Sequence, residues 1–157
     1  MKKFLIIFSF IFLFAYSCKL QKTDPEKEIN PEKEIIKKVI QTAYVEGLLN
    51  EGNFEKIDKG FHPDFQLLGI GKGDEMWKYS ISDWKKAVKR DLKSGKLPKN
   101  KNERVSVKFL SIDITTNVAI AKFDFYVGNK LIYTDYQSLY KFQSGWKIVS
   151  KVFYKYQ

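Results

Sequence analysis

The chain has almost none of the side chains that build disulfide, thiol or imidazole chemistry. Its 157 residues include one cysteine, Cys18, and one histidine, His62. A single cysteine cannot form an intramolecular disulfide, so the fold must be held together by its hydrophobic core. The same shortage removes Cys-based metal sites and leaves His62 as the only imidazole for a nucleophilic triad. We therefore expect no metal and no cofactor.

Arginine is scarce as well, although the chain is basic. The net charge is +10 at pH 7, yet Arg90 and Arg104 are the only arginines. Guanidinium groups are preferred for bidentate contacts with phosphates and bases. We therefore expect no nucleic acid partner, and an anionic lipid surface is the better match for the excess of lysine.

The N-terminus combines a short positive segment with a short apolar run. Lys2 and Lys3 precede the run 4–14, which is shorter than the ~20 apolar residues that cross a bilayer. Ser17, a small residue, is followed directly by Cys18. This series is typical of an export signal, and it resembles the bacterial lipobox, whose cysteine is lipidated. We expect a lipoprotein signal peptide over residues 1–17; the alternative is an ordinary signal cleaved nearby.

The segment 18–31 is polar. A short duplication, in which residues 24–29 and 30–35 differ at one position, begins in this segment and runs into the first helix. Such a composition cannot support a packed core. We expect a tether that joins lipidated Cys18 to a single domain over residues 32–157. The expected location is therefore the bacterial cell envelope, as an exported, membrane-anchored lipoprotein that faces the periplasm where there are two membranes.

The first half of the domain has the hydrophobic spacing of three helices. Asn30, Asn53 and Ser80 each precede a helical pattern and are favourable N-cap residues. Between the second and third helices, the segments 65–70 and 75–79 flank a glycine-rich turn and predict a hairpin.

From residue 104 onward the hydrophobic period changes to two, which predicts four long strands. Short turns separate these strands and force them to be antiparallel. A two-residue turn that pairs Val127 with Lys130, followed by a three-residue turn with a bulge, places Asp135 and Lys151 on the less apolar face of the sheet. The face that receives the helices is then expected to carry Ala119, Ala121, Phe123, Phe125, Ile132, Thr134, Tyr136, Ser138, Tyr140, Trp146, Ile148, Ser150 and Val152.

Five short segments resemble the bacterial lumazine-binding branch of the nuclear transport factor 2-like superfamily. They are residues 52–54, 61–65, 117–122, 134–139 and 145–151. The likeness covers about residues 32–156. It implies an α+β domain in which three N-terminal helices pack on a strongly curved antiparallel sheet, a cone-shaped half-barrel. It also implies a pocket between the first helix and the concave face of the sheet.

The expected pocket combines aromatic walls with hydroxyl groups, which suits a small apolar or aromatic ligand. The alternative is that the aromatic rings only fill the core. By strand parity, Tyr136 should contact a ligand and Asp135 should not. The ligand-binding candidates are Tyr44, Trp77, Trp84, Phe123, Thr134, Tyr136, Ser138 and Ser150.

Catalysis has weaker candidates. The resemblance implies that related isomerases use an acidic base near the first strand and a tyrosine on the first helix. Tyr44 matches the tyrosine, but the strand 65–70 holds no carboxylate, and Asp64 only precedes it. His62 beside Asp64 could be a base, although His-Pro-Asp is also a common turn. A buried carboxylate that faces the pocket would favour an enzyme.

We expect a non-catalytic envelope lipoprotein that binds a small molecule or a protein partner. The alternatives are an enzyme of the isomerase, dehydratase or cyclase type and a purely structural dimerisation module. We also expect a homodimer, because the less apolar sheet face still carries several large apolar side chains. These are Leu131, Leu139, Val149 and Phe153.

Overall fold

The computed structural model describes residues 30–157. The expected signal peptide, the lipidation site Cys18 and most of the tether lie outside the described residues. Within them, no helix is both long enough and apolar enough to cross a membrane.

Three helices form one layer of the domain. Helix α1 spans Pro31–Val39 and continues directly into a π-helical segment, Ile40–Glu51. Helix α2 spans Phe54–Gly60, and α3 spans Ile81–Lys93.

The predicted helix caps are confirmed. The backbone N–H of Glu32 donates to Asn30 Oδ1 at 3.0 Å, and that of Lys56 donates to Asn53 Oδ1 at 3.0 Å. Each of these side chains satisfies a donor that has no partner inside the helix. Ser80 receives the third such bond, from the N–H of Asp83.

Six strands form the second layer. They are β1 (Phe61–Ile70), β2 (Met76–Ser80), β3 (Val105–Thr115), β4 (Val118–Val127), β5 (Lys130–Phe142) and β6 (Gly145–Lys155). Short 3₁₀ turns, Lys72–Asp74 and Lys101–Glu103, precede β2 and β3. The strand order across the sheet is β2-β1-β6-β5-β4-β3.

The sheet is mixed and open, which corrects the expected strongly curved antiparallel half-barrel. β1 pairs with β6 in parallel, whereas its other neighbour, β2, is antiparallel. After β2 the chain crosses through α3 and enters the sheet at its far edge as β3. The three following hairpins then bring β6 back beside β1. The strands β2 and β3 remain as two edges, so the sheet is neither closed nor strongly curled.

A β-bulge in the β4–β5 hairpin reverses the predicted faces of β5. The turn pairs Val127 with Lys130, as expected, but the register shifts before Phe125, which pairs with Tyr133. Ile132 is the extra residue on β5. Because neighbouring side chains alternate between faces, this one insertion exchanges the two faces of the strand. Phe123 therefore pairs with Asp135.

A second bulge, in β6, exchanges the two faces of that strand beyond it. Ser138 pairs with Ser150, but the next residue, Leu139, pairs with Ile148, so Val149 is extra. Trp146 and Ile148 are buried as expected. Beyond the bulge, the parity prediction is wrong, and Lys151 lies on the face covered by the helices, which we call the inner face. The opposite face is the outer face.

One buried side chain connects the helical layer to the start of β3. Asn50, near the end of the π-helical segment, donates from Nδ2 to the carbonyl oxygen of Val105 at 2.9 Å. Its Oδ1 accepts from the N–H of Val105 at 2.8 Å. The two bonds satisfy both backbone polar groups of Val105, which is separated from Asn50 by 55 residues.

We expect Asn50→Ala to lower the free energy of unfolding by about 2–4 kcal/mol. The substitution removes two buried hydrogen bonds and leaves the N–H and carbonyl of Val105 without partners. Urea unfolding measures the change. Asn102→Ala, at an exposed position in the turn before β3, is the matched control and should change stability by less than about 0.5 kcal/mol. Equal effects of the two variants would contradict the assigned role of Asn50.

Candidate functional site

A charged cluster lies between the helices and the inner face of the sheet. The ammonium group of Lys151 is 2.7 Å from Asp135 Oδ2, and it donates a short hydrogen bond to the hydroxyl of Tyr44. That hydroxyl donates in turn to Asp135 Oδ2 at 2.8 Å. Asp135 is fully buried, and only 5% of Lys151 is exposed. We call these three residues the inner cluster.

Each member is positioned by a different element. Tyr44 belongs to the π-helical segment, which packs against the sheet. Asp135 and Lys151 point inward because of the bulges in β5 and β6. In the sheet, Lys151 pairs with Gln137 on one side and Leu67 on the other. The inner cluster therefore depends on both layers.

Aromatic rings surround the lysine ammonium. Its Nζ lies 4.8 Å from the ring centre of Tyr44 and 5.4 Å from that of Phe153. Phe125 and Tyr133 follow at 5.7 and 5.9 Å. The rings of Phe125, Tyr133 and Phe153 are close enough to attract the cation, whereas Tyr44 meets it through its hydroxyl.

Several buried polar atoms beside the inner cluster have no hydrogen-bond partner among the described residues. They are Oδ1 of Asp135 and both amide atoms of Gln137. Gln137 is fully buried, and it lies beside Ala121 on β4. A buried amide without partners costs about 1–3 kcal/mol. The site thus offers one amide donor group and two acceptors to a bound molecule.

Burial sets the protonation chemistry of the inner cluster. Loss of solvation raises the pKa of Asp135, while the attraction of Lys151 and the hydrogen bonds oppose this rise. Loss of solvation also lowers the pKa of Lys151, against the attraction of Asp135. The pKa of Tyr44 lies well above its ordinary value, because of burial first and of Asp135 second. Both shifts in the ion pair reduce the cost of moving a proton from lysine to aspartate.

A chain of aromatic contacts extends from the surface to the inner cluster. Trp77 on β2 is 38% exposed, and its ring centre lies 6.1 Å from that of Phe153. The indole covers Gly69, where an added Cβ would lie 2.0 Å from the ring. Trp84 on α3 lies 6.1 Å from Tyr44 and 6.1 Å from Tyr79.

The eight predicted ligand-binding residues divide between the two faces. Tyr44 is a member of the inner cluster, and its ring contacts those of Trp84 and Phe123. Trp77 lies at the exposed end of the aromatic chain, against Phe153. The other four lie on the outer face, because the bulges exchange the faces of β5 and of the end of β6. These residues are Thr134, Tyr136, Ser138 and Ser150.

On the outer face, the hydroxyl of Thr134 donates to Asp124 Oδ1 at 2.8 Å. Tyr136 is exposed there, with Lys122 Nζ 5.4 Å from its ring centre. The predicted contact of Tyr136 with an inner ligand is therefore wrong, and Asp135 occupies that place. Leu139, expected on the opposite face, is fully buried on the inner face.

The weak catalytic candidates on β1 lie apart from the inner cluster. The N–H of Asp64 donates to His62 Nδ1 at 3.2 Å, and the imidazole stacks on Phe142 with ring centres 4.9 Å apart. The Asp64 side chain is 92% exposed. This geometry is that of a local turn, and only Tyr44 among the catalytic candidates reaches the inner cluster.

The expected turn pairings placed Asp135 and Lys151 on the less apolar face of the sheet and did not single out Gln137. Asp135 and Gln137 flank Tyr136, so the sequence shows that they share one face of β5. Whether that face is the inner or the outer face of the sheet depends on the bulge at Ile132.

A separate surface groove of about 660 Å³ lies between α2, α3 and the start of β1. Its rim carries three lysines, and its floor is apolar. Two of these lysines already have partners: Lys85 Nζ lies 2.6 Å from Asp58 Oδ1, and Lys86 Nζ lies 2.8 Å from Asp83 Oδ1. The groove thus has much of its charge neutralised.

Comparison with known proteins gives a family and a fold. The profile of the family described as "Putative lumazine-binding" matches residues 31–154. No curated protein matches the chain.

Solved structures with similar folds have low sequence identity. A nuclear transport factor 2-like protein of unknown function from Shewanella baltica OS155 has a TM-score of 0.61 at 18% identity, covering 81% of this chain and 95% of that one. One from Silicibacter pomeroyi DSS-3 has a TM-score of 0.62 at 15% identity, with 82% and 100% covered. A third, from Methylobacillus flagellatus KT, has a TM-score of 0.57 at 23% identity, with 82% and 94% covered. The three show the fold alone.

We expect Lys151→Met to lower the free energy of unfolding by about 3–5 kcal/mol, because it leaves the Asp135 carboxylate buried without its counter-ion. The double variant Lys151→Met/Asp135→Leu should recover this loss and can exceed the wild type by about 1–4 kcal/mol. Urea unfolding of the two variants provides the measurement. A double variant as unstable as the single one would show that the ion pair itself stabilises the fold.

The advantage of the double variant should also depend on pH. Asp135 has a raised pKa in the folded state, so its penalty develops as the pH rises above its ordinary value of 3.8. Lys151 has a lowered pKa, so its penalty disappears as the pH rises to its ordinary value of 10.5. The difference in free energy of unfolding between the double variant and the wild type should therefore be largest near neutral pH. It should become smaller toward both acidic and alkaline pH.

Proposed function

Because the chain belongs to the family described as "Putative lumazine-binding", we propose that its domain binds a small, planar heteroaromatic ligand at the inner cluster. The ligand class follows from the chemistry of the buried groups. Lumazine, a pteridine-dione, is the first member of that class to test.

The observation that carries the proposal is the unpartnered polar set beside Lys151. Gln137 has a free amide donor and a free amide acceptor, and Asp135 Oδ1 is a second acceptor. A dione ring of the lumazine type presents N–H groups next to carbonyl oxygens, which complement a side-chain amide. The rings of Phe125, Tyr133 and Phe153 surround the same place and would contact the faces of a flat ligand.

The energetic cost of the inner cluster supports the same proposal. Well-packed apolar residues in place of a buried ion pair are often neutral or stabilising. Here the pair is retained next to a glutamine that lacks partners, and both features oppose folding. A bound ligand would supply the missing hydrogen bonds, and it would thereby stabilise the folded state.

We expect Gln137→Leu to weaken lumazine binding tenfold or more, while the free energy of unfolding stays equal or rises. The leucine is similar in volume and removes both unpartnered amide atoms. Stability should therefore stay equal or rise while the affinity for lumazine falls. Titration calorimetry measures binding, and urea unfolding measures stability.

Tyr136→Ala is the matched control for this prediction, since Tyr136 neighbours Gln137 but lies on the outer face. It should leave the dissociation constant unchanged. If Tyr136→Ala abolished binding and Gln137→Leu did not, the ligand site would lie on the outer face of the sheet.

An enzyme is the second candidate, because a buried carboxylate does face the helices. In that case Asp135, and not Asp64, would be the acid–base group, with Tyr44 as a hydroxyl donor. The raised pKa of Asp135 suits proton transfer, but its ion pair with Lys151 opposes a free base. Mass spectrometry of the bound ligand after prolonged incubation separates the two functions, since a binding protein returns the ligand unchanged.

The outer face supports a second proposal, that two copies of this chain associate through it. Exposed apolar and aromatic side chains are spread over three neighbouring strands: Ile120 on β4, Tyr136 and Tyr140 on β5, and Val152 and Tyr154 on β6. So many large side chains on one face indicate an interaction surface.

Charges on the outer face favour a second copy over an unrelated partner. Lys122 and Asp124 lie on the same strand of this face, so a two-fold axis can bring the lysine of one copy to the aspartate of the other. We expect sedimentation at micromolar concentration to give twice the monomer mass, and Val152→Asp to give monomers. Asp64→Asn, at an exposed position on β1, is the control. A monomeric wild-type protein would contradict this proposal.

We also propose that a lipid on Cys18 holds the domain at a bacterial membrane. The basic and apolar residues before Cys18 support this, and the net positive charge suits an anionic lipid surface. We expect the full-length chain to incorporate radiolabelled palmitate when it is expressed in bacteria, and Cys18→Ala to incorporate none. Equal labelling of the two proteins would contradict the proposed anchor.

A further inference from the structure

We infer that Lys151 is a carbonyl-condensing amine, which forms a Schiff base with an aromatic or conjugated aldehyde or ketone that enters the inner cluster. The inference rests on the proposed function only in that it uses the same site. It adds a covalent step and a second class of ligand.

The surroundings of Nζ are those that make a lysine nucleophilic. A lysine becomes reactive when it is desolvated in an apolar pocket with a group that can take its proton. Lys151 is 95% buried among four aromatic rings, and Asp135 Oδ2 is 2.7 Å from its Nζ. Burial lowers the pKa of the amine and raises the pKa of the carboxyl group, which reduces the cost of passing the proton from Lys151 to Asp135.

Tyr44 completes the set of groups that such a step needs. Its hydroxyl contacts both Nζ and Asp135 Oδ2, so it can pass a proton between nitrogen, carboxylate and the oxygen of a bound carbonyl. The raised pKa of Tyr44 keeps this hydroxyl protonated. Its one O–H bond points to Asp135 Oδ2, and it can turn to a carbonyl oxygen once Asp135 has taken the lysine proton.

The step balances without an oxidant or a reductant. The ammonium proton moves to Asp135, and the neutral nitrogen attacks the carbonyl carbon, forming a C–N bond as the carbonyl electron pair moves to oxygen. A proton passes from nitrogen to this oxygen through Tyr44, which gives a carbinolamine. The proton on Asp135 then leaves with the hydroxyl group as water. The product is a protonated C=N bond beside the Asp135 carboxylate.

The rings around Nζ select the carbonyl compound. Phe125, Tyr133 and Phe153 each lie within 6 Å of the nitrogen, so a ring attached to the carbonyl carbon has partners to stack on. The cationic C=N product keeps the same contacts that hold the ammonium group. An aliphatic aldehyde of similar reactivity lacks the stacking contribution.

Reductive trapping tests the inference on the full-length protein. The chain is incubated near neutral pH with 2-naphthaldehyde and sodium cyanoborohydride, and the modified lysines are located by peptide mass spectrometry. We expect the reduced adduct on Lys151 to form at least tenfold faster than on the exposed lysines, such as Lys130 and Lys155. Propanal should show no such preference. A wild-type protein whose Lys151 is labelled no faster than its surface lysines overturns the inference.

Lys151→Arg is the control variant, because arginine keeps the positive charge beside Asp135 and forms no Schiff base under these conditions. It should lose the fast adduct and keep the slow surface labelling. Tyr44→Phe should slow the labelling of Lys151 while leaving the surface rate unchanged. A fast adduct that persists in Lys151→Arg would place the reactive amine elsewhere and overturn the assignment.

The outcomes separate this inference from the proposed function. Lumazine has no aldehyde group, and its binding is measured without a reductant. Lumazine binding without a fast Lys151 adduct would leave the proposed function in place and overturn the covalent step. A fast Lys151 adduct without lumazine binding would overturn the heterocyclic ligand and support the amine.

Discussion

The buried ion pair between Lys151 and Asp135 is the constraint that the rest of the interior must satisfy. Removing two charges from water costs several kcal/mol per ion, even after the protein relaxes. Their attraction offsets this cost only at close range, and the hydroxyl of Tyr44 bonds to both. The π-helical segment must therefore hold Tyr44 against the sheet, and the bulges in β5 and β6 must direct Asp135 and Lys151 to the inner face. A change in any one of these three elements would leave a charge without its partner.

Helix ends were predictable because their chemistry is local. The capping oxygens of Asn30, Asn53 and Ser80 lie two or three residues from the N–H groups that they accept. Strand lengths and the β4–β5 turn were predictable for the same reason, since alternation and turn residues act over a few positions. The mixed sheet was harder to predict, because the pairing of β1 with β6 joins the two ends of the domain.

The face of the sheet that carries Asp135 and Lys151 could not be predicted, because it depends on two bulge residues, Ile132 and Val149. Ile132 and Val149 favour strands in any register, so nothing in their local sequence marks them as the extra residues of bulges. One extra residue exchanges the faces of everything beyond it. Parity reasoning therefore gave the correct face for Phe123 and the wrong one for Asp135, its neighbour across the hairpin. Asn50 escaped notice because its partner, Val105, is distant in sequence.

The fold compensates for a costly interior with firm attachments at its periphery. Glu32, in the first turn of α1, accepts from the Trp146 indole N–H at 2.6 Å and from Lys141 Nζ at 2.8 Å. These two bonds lower the pKa of Glu32 and attach α1 to the β5–β6 hairpin. Asn50 fixes the other end of the same helical run to β3. Tyr44 lies between these two attachments, so its position does not depend on the ion pair alone. The helical run that carries Tyr44 is therefore held at both ends by contacts outside the inner cluster.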